Sequence, residues 1–156
     1  MKSSLFTIND IMKKMENYCV YQERCHQEVE NKLKEFNLIP EAKEVILLHL
    51  LENNYLNEER FSKAFARGKF TIKKWGKQRI VRELRLKNIS DYNIKSALKE
   101  IDDNDYINTF DELAEKRLKE IKERNIYKKR KKLADYLLYR GWESDMVYSK
   151  VTELIK

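Results

Sequence analysis

The stretch IVRELRLKNISDYNIKSALKEI, Ile80 to Ile101, decides the fold once it is laid on LADYLLYRGWESDMVYSKVTEL, Leu133 to Leu154. At an offset of 53, Ile80, Leu84, Ile89, Ile94, Leu98 and Ile101 fall on Leu133, Leu137, Trp142, Val147, Val151 and Leu154. Six apolar-on-apolar matches in one register point to an internal repeat. At an offset of 51, NNYLN (Asn53 to Asn57) falls on NDYIN (Asn104 to Asn108), and Leu33, Asn37 and Leu38 fall on Leu84, Asn88 and Ile89. The first copy gives the weakest echo, Ile8–Asn9 on Leu56–Asn57. The chain reads as three tandem three-helix units: residues 1–54 with a short N-terminal tail, 55–104, and 105–156. The expected fold is all-α, an elongated and curved array in which each unit touches only its neighbours.

Composition agrees. The 156 residues include three Gly and one Pro, too few for a turn-rich β protein. Helical spacing recurs in Val29, Leu33 and Phe36, in Ile94, Leu98 and Ile101, and in Val147, Val151 and Leu154. Pro40 suits a first helical turn, Asn57 and Ser90 suit caps, and Gly68 and Gly141 suit helix ends. These signals predict helices near 7–18, 20–36, 40–53, 57–67, 75–87, 90–101, 107–123, 127–140 and 143–155. The segment VILLHLL, Val45 to Leu51, is apolar nearly all round and is expected to be buried between units.

Charge is segregated. Arg60 to Lys87 holds eleven Lys or Arg against Glu83 alone, about +10. Lys116 to Lys132 holds ten against two acids, about +8, so the other 111 residues carry −11 beneath the overall +7. Such islands attract polyanions or an acidic protein face. The opening MKSSLFTIND lacks a signal-peptide core, no apolar run approaches a membrane span, and the two Cys do not make a secreted scaffold. Cys19 and Cys25, six apart on one expected helix, point to different sides and stay reduced, so the expectation is a cytoplasmic protein without a membrane partner.

Catalytic parts are missing from the sequence. There is no glycine-rich phosphate loop, since the glycines are Gly68, Gly76 and Gly141 alone. His26 beside Cys25 makes no zinc set, and His49 reads as a hydrogen-bonded core or interface residue. Glu58–Glu59 reads as the acidic first turn of a helix rather than a metal pair. The chain is expected to be neither an enzyme nor a holder of cofactor or metal.

Within the first basic island, Phe61 and Phe65 read as packing, and Gly68 as a left-handed cap followed by an extended link through Phe70 and Ile72. Trp75 and Gly76 open the next helix, where Gly permits close approach. With Ile80 and Leu84 facing the core, Lys77, Arg79, Arg82 and Arg85 project elsewhere, and Lys69, Lys73 and Lys74 extend the basic stripe through the link. Together with Arg67 they form the expected binding face, suited to phosphate or to carboxylate. In the second island, Lys128, Lys129, Arg130, Lys131 and Lys132 crowd a helix start that the macrodipole makes unfavourable for cations. Glu120 and Arg124 are spaced as an i, i+4 pair.

YCVYQERCHQEVENKL (Tyr18 to Leu33), NNYLNEERFSKAFARGKF (Asn53 to Phe70) and KKWGKQRIVREL (Lys73 to Leu84) closely resemble the bacterial RecX family of regulatory proteins. IDDNDYINTFDELAEKR continues the resemblance through Arg117, and the last unit matches by pattern only. The family motif falls on Tyr55, Leu56, Asn57, Glu59, Arg60, Phe61, Phe65, Arg67, Gly68, Lys69, Trp75 and Gly76, of which Leu56, Phe61, Phe65 and Trp75 hold the fold. The resemblance implies tandem three-helix repeats and a non-enzymatic protein; a monomer is expected. It implies binding to the RecA–single-stranded DNA filament, in its groove or at its end. It also implies inhibition of recombinase, ATPase and SOS coprotease activities. A stand-alone helix-turn-helix-like nucleic-acid binder is the alternative, with KQRIVREL as its weak recognition helix.

Overall fold

The computed structural model describes residues 7–156, all helices and links, with no strand among them. The helices are α1 (Ile8–Tyr21), α2 (His26–Leu33, continued by a 3-10 turn, Lys34–Phe36), α3 (Pro40–Glu52), α4 (Glu58–Thr71), α5 (Lys77–Leu86), α6 (Asp91–Leu98), α7 (Asp103–Glu120), α8 (Ile126–Tyr139) and α9 (Ser144–Leu154). The starts are chemically marked. Side chains of Thr7, Asn57, Ser90, Asp102 and Asn125 each accept a first-turn N–H, worth about 1 kcal/mol apiece. Pro40 occupies the first turn of α3. The N-terminal tail, residues 1–6, lies outside the described residues.

The repeat has a backbone signature. Left-handed residues stand at Asn37 (φ 51°), Asn88 (φ 61°) and Gly141 (φ 92°), spaced 51 and then 53 apart. Asn and Gly tolerate that conformation best. Three residues later a helix begins each time, at Pro40, Asp91 and Ser144. In the second and third copies the residue after the reversal, Ile89 or Trp142, donates its N–H back to Leu84 or Leu137 and buries its side chain. The NNYLN–NDYIN likeness has no such basis: Tyr55 precedes α4, whereas Tyr106 lies inside α7.

The core falls into two clusters. Ile11, Met15, Cys19, Val29, Leu33, Ile46, Leu50 and Leu56 form one among α1–α3 and the link to α4. A second runs without interruption from Phe61 and Ile80 through Phe110 and Trp142 to Ile155, and it takes in Cys25 from the start of α2. The second and third units thus share an interior, into which the first inserts one thiol. Polar contacts complete that joint. Glu58 accepts the His26 N–H at 2.8 Å, Arg60 Nε donates to Glu23 at 2.6 Å, and Lys87 pairs with Glu28 at 3.6 Å.

Four expectations change. Gly68 does not end α4, which continues to Thr71 because Phe70 is buried in step with Phe61 and Ala66. Phe70 is therefore helical, and the left-handed residue beyond it is Lys74 (φ 60°). No helix spans 20–36: the chain breaks at residues 22–25, so Cys19 and Cys25 sit on different elements, both free and buried. VILLHLL is not enclosed. α3 turns Ala42, Ile46 and Leu50 inward but leaves Val45 53%, Leu48 49% and Leu51 41% exposed. Finally, α7 ends at Glu120, so Arg124 is off the helix and Glu120 pairs with Arg117 instead.

Candidate polyanion-binding face

The last turn of α4, the turn 72–76 and the helix α5 carry most of the predicted face, and the third unit holds them in place. Gly76 is buried, and its N–H donates to the Arg140 carbonyl at 2.8 Å. Gln78 N–H donates to the Gly141 carbonyl at 3.0 Å. A Cβ on Gly76 would collide with the Gly141 carbonyl and lie 2.6 Å from Trp142 Cα. The close approach expected at Gly76 is therefore to another unit of the same chain. Across the seam, Arg140 Nη1 donates to the Lys73 carbonyl at 3.1 Å and Trp142 Nε1 to the Lys74 carbonyl at 3.2 Å. Tyr106 accepts the Lys77 N–H at 2.8 Å and donates to Glu143. Burial, then that carboxylate, holds the Tyr106 phenol well above its ordinary pKa.

The eight residues of the predicted face divide into three groups. Lys73, Lys74, Arg82 and Arg85 are exposed, and their side chains have no partner among the described residues. Arg67 is exposed but paired with Glu100 at 2.7 Å. Lys69, Lys77 and Arg79 are half-buried on aromatic rings. Lys69 Nζ lies 5.0 Å from the Trp75 ring, Lys77 Nζ lies 4.6 Å from Tyr106, and Arg79 Cζ lies 4.2 Å from Trp75 and 4.8 Å from Tyr139. The stripe 79–82–85 is thus basic throughout but free only at its second and third positions.

Motif residues serve the scaffold. Leu56, Phe61 and Trp75 are buried, and Phe65 packs edge-on against Trp75. Tyr55 stacks on His49, Asn57 caps α4, and Glu59 accepts from Ser96 Oγ at 2.8 Å. Arg60 also donates to the carbonyls of Asn54 and Tyr55. His49 is a half-buried bridge rather than a core residue, with Nε2 2.6 Å from Glu16 and Nδ1 3.2 Å from the Asn53 amide. Burial raises the Cys19 and Cys25 thiols above their usual pKa, which keeps them protonated and unreactive.

The second patch opens α8 with no acid in its first turn. Arg130 donates to the Ile155 carbonyl, Lys131 pairs with Asp135, and Lys132 pairs with Glu123. Among the described residues, Lys128 and Lys129 have no side-chain hydrogen bond or ion pair. Sequence reading missed Tyr139, Arg140 and Trp142 as builders of the first face. Their only signal is the alternation YRGW around Gly141, at the position that matches Asn88.

Among the described residues no group of three or more His, Cys, Asp or Glu could hold a metal, and no helix is long and apolar enough to cross a membrane. What the face offers is a set of unpaired cations on a rigid frame, able to bind phosphate or carboxylate oxygens.

Two family models match in tandem, "RecX, second three-helix domain" over residues 57–98 and "RecX, third three-helix domain" over residues 104–151. The regulatory protein RecX of Lactobacillus johnsonii is 31% identical over 91 residues, 58% of this chain and 34% of that protein. That of Enterococcus faecalis is 25% identical over 131 residues, 84% of this chain and 49% of that protein. The chain therefore spans about a third to a half of the curated relatives it matches. The crystal structure of RecX from Lactobacillus salivarius superposes with a TM-score of 0.80 at 24% identity, covering 94% of this chain and 96% of that one. A second structure, of a regulatory protein RecX, gives 0.78 at 23% identity, covering 93% and 74%. These two likenesses establish the shared helical repeat fold. With consecutive RecX domains recognised along the chain and the same architecture beneath them, the protein belongs to the RecX family.

Proposed function

We propose that this chain is a non-enzymatic, cytoplasmic regulator that binds the RecA–single-stranded DNA filament as a monomer, in its groove or at its end. It lowers the filament's strand-exchange, ATPase and SOS coprotease activities. Residues 1–54, 55–104 and 105–156 are its three proposed units. The observation that carries this reading is the unpaired set Lys73, Lys74, Arg82 and Arg85 on a turn and helix clamped by the third unit. The clamped backbone keeps these unsatisfied cations close together, and their summed charge steers encounter with a polyanionic assembly. Family membership supplies the recombinase as partner; the relatives themselves are named regulatory proteins.

The test is ATP hydrolysis by the cognate recombinase on single-stranded DNA, with this protein added well below one copy per recombinase. A fall in rate at that ratio is expected, since so little protein cannot act by covering DNA. No effect until the DNA is saturated would replace this reading with a stand-alone nucleic-acid binder. Four strand contacts in that case would give a log–log salt slope of about −3.

A further inference from the structure

Cations and aromatic rings alternate along the seam between the second and third units. Lys69 lies over Phe65 and Trp75, at 5.4 and 5.0 Å. Arg79 lies over Trp75 and Tyr139, at 4.2 and 4.8 Å. Arg140 and Arg117 both lie over Tyr136, at 4.6 and 4.5 Å. Within this ladder Tyr139 stands apart, because 73% of it is exposed and its hydroxyl has no partner among the described residues. It borders a cleft of about 660 Å³ that Tyr136, Ile121, Lys122 and Lys132 also line. The two acids of the cleft are already engaged, Glu120 with Arg117 at 3.4 Å and Asp135 with Lys131 at 2.9 Å.

From this geometry we infer that the seam is a base-stacking subsite for single-stranded nucleic acid, with Tyr139 as its platform. It deepens the reading of the basic face given above and rests on it for the strand. Arg79 holds Tyr139, since its guanidinium covers the ring and Nη1 donates to the Tyr139 carbonyl at 3.3 Å. The ring is therefore fixed before a ligand arrives, and most of it remains open to solvent. An unpaired base offers a π-face to such a ring, whereas bases inside a duplex are already stacked on both sides. Cations for the backbone flank the platform: Lys73 and Lys74 sit on the turn held by Arg140 and Trp142, Arg82 is one helical turn from Arg79, and Lys122 is exposed with no partner among the described residues. An acidic peptide would satisfy the cations but would make no use of a fixed, exposed ring beside an open cleft.

The experiment uses the full chain and no recombinase. Fluorescence anisotropy compares a labelled oligo-dT of about twenty nucleotides with an abasic deoxyribose-phosphate chain of the same length. Polyglutamate serves as competitor. The wild type is expected to prefer oligo-dT, and Tyr139→Ala to shrink that preference by about 5- to 150-fold, as loss of one stacked base should. Tyr139→Phe is expected to keep the preference. If Tyr139→Ala leaves the ratio unchanged, or if polyglutamate displaces oligo-dT as readily as the abasic chain does, the subsite does not exist. An unchanged urea midpoint for Tyr139→Ala, with the preference kept in Tyr139→Phe, separates loss of the platform from loss of fold. Failure here with ATPase inhibition intact overturns the stacking subsite alone.

Discussion

A methyl group separates the fates of Gly68 and Gly76. Nothing lies within 4 Å of a Cβ built on Gly68, in the interior of α4. Gly68→Ala is expected to raise stability by about 0.5–1 kcal/mol, because glycine loses more backbone freedom in a helix. Gly76→Ala is expected to cost about 3 kcal/mol, since backbone atoms of Gly141 and Trp142 cannot yield to the new group. Urea midpoints of the two variants, moving in opposite directions, check the pair. Tyr106 gives a second prediction at this scale. Its buried phenol keeps its proton above the usual pKa of 10.0, while the unfolded chain releases it there. The stability it contributes is therefore complete below about pH 10 and declines as pH rises further, by up to about 1.4 kcal/mol per unit. Tyr106→Phe should lose about 1–3 kcal/mol near neutrality, leaving the Lys77 N–H without its acceptor, and should flatten that alkaline decline. Denaturant titrations at pH 8 and at higher pH distinguish the two curves.

Helix α5 performs two tasks on adjacent turns. Arg79 belongs to the seam, while Arg82 and Arg85 reach solvent without partners among the described residues. Arg82→Glu with Arg85→Glu should weaken single-strand binding while leaving the urea midpoint in place. Arg79→Ala should lower stability by about 1–2 kcal/mol, through two ring contacts and one hydrogen bond. Equal midpoints for the two variants would refute this division of roles. The division was only half legible in the sequence. Ile80 and Leu84 revealed which side of α5 is buried, and Ser90 and Gly141 marked a start and a reversal because capping and left-handed backbone are local chemistry. The end of α4 was misread because burial of Phe70 outweighs the cost of one glycine. Arg79 was misplaced for a related reason: its partner Tyr139 arrives from sixty residues downstream, beyond any local pattern. The apolar outer face of α3 was misread as buried because periodicity reports side-chain type and not the presence of a neighbour.

Two interiors imply two levels of resistance to opening. Cys19 lies in the smaller core, and Cys25 lies in the larger one that the second and third units share. Regions open in cooperative units whose stability follows their packing. In single-thiol variants, Cys25→Ala and Cys19→Ala, Cys19 should therefore react with a thiol reagent about tenfold or more faster than Cys25 in mild urea, a difference of about 1.4 kcal/mol in opening energy. Equal rates would mean that the whole chain opens as one. The seam also bears on how the protein is made. The carbonyls of Lys73 and Lys74 are closed by Arg140 and Trp142, 67 and 68 residues later in the chain. At bacterial elongation rates that gap lasts roughly 3–14 seconds. During it the first core can close on the ribosome while the basic turn still lacks its clamp, so a nascent chain acquires its scaffold before its grip.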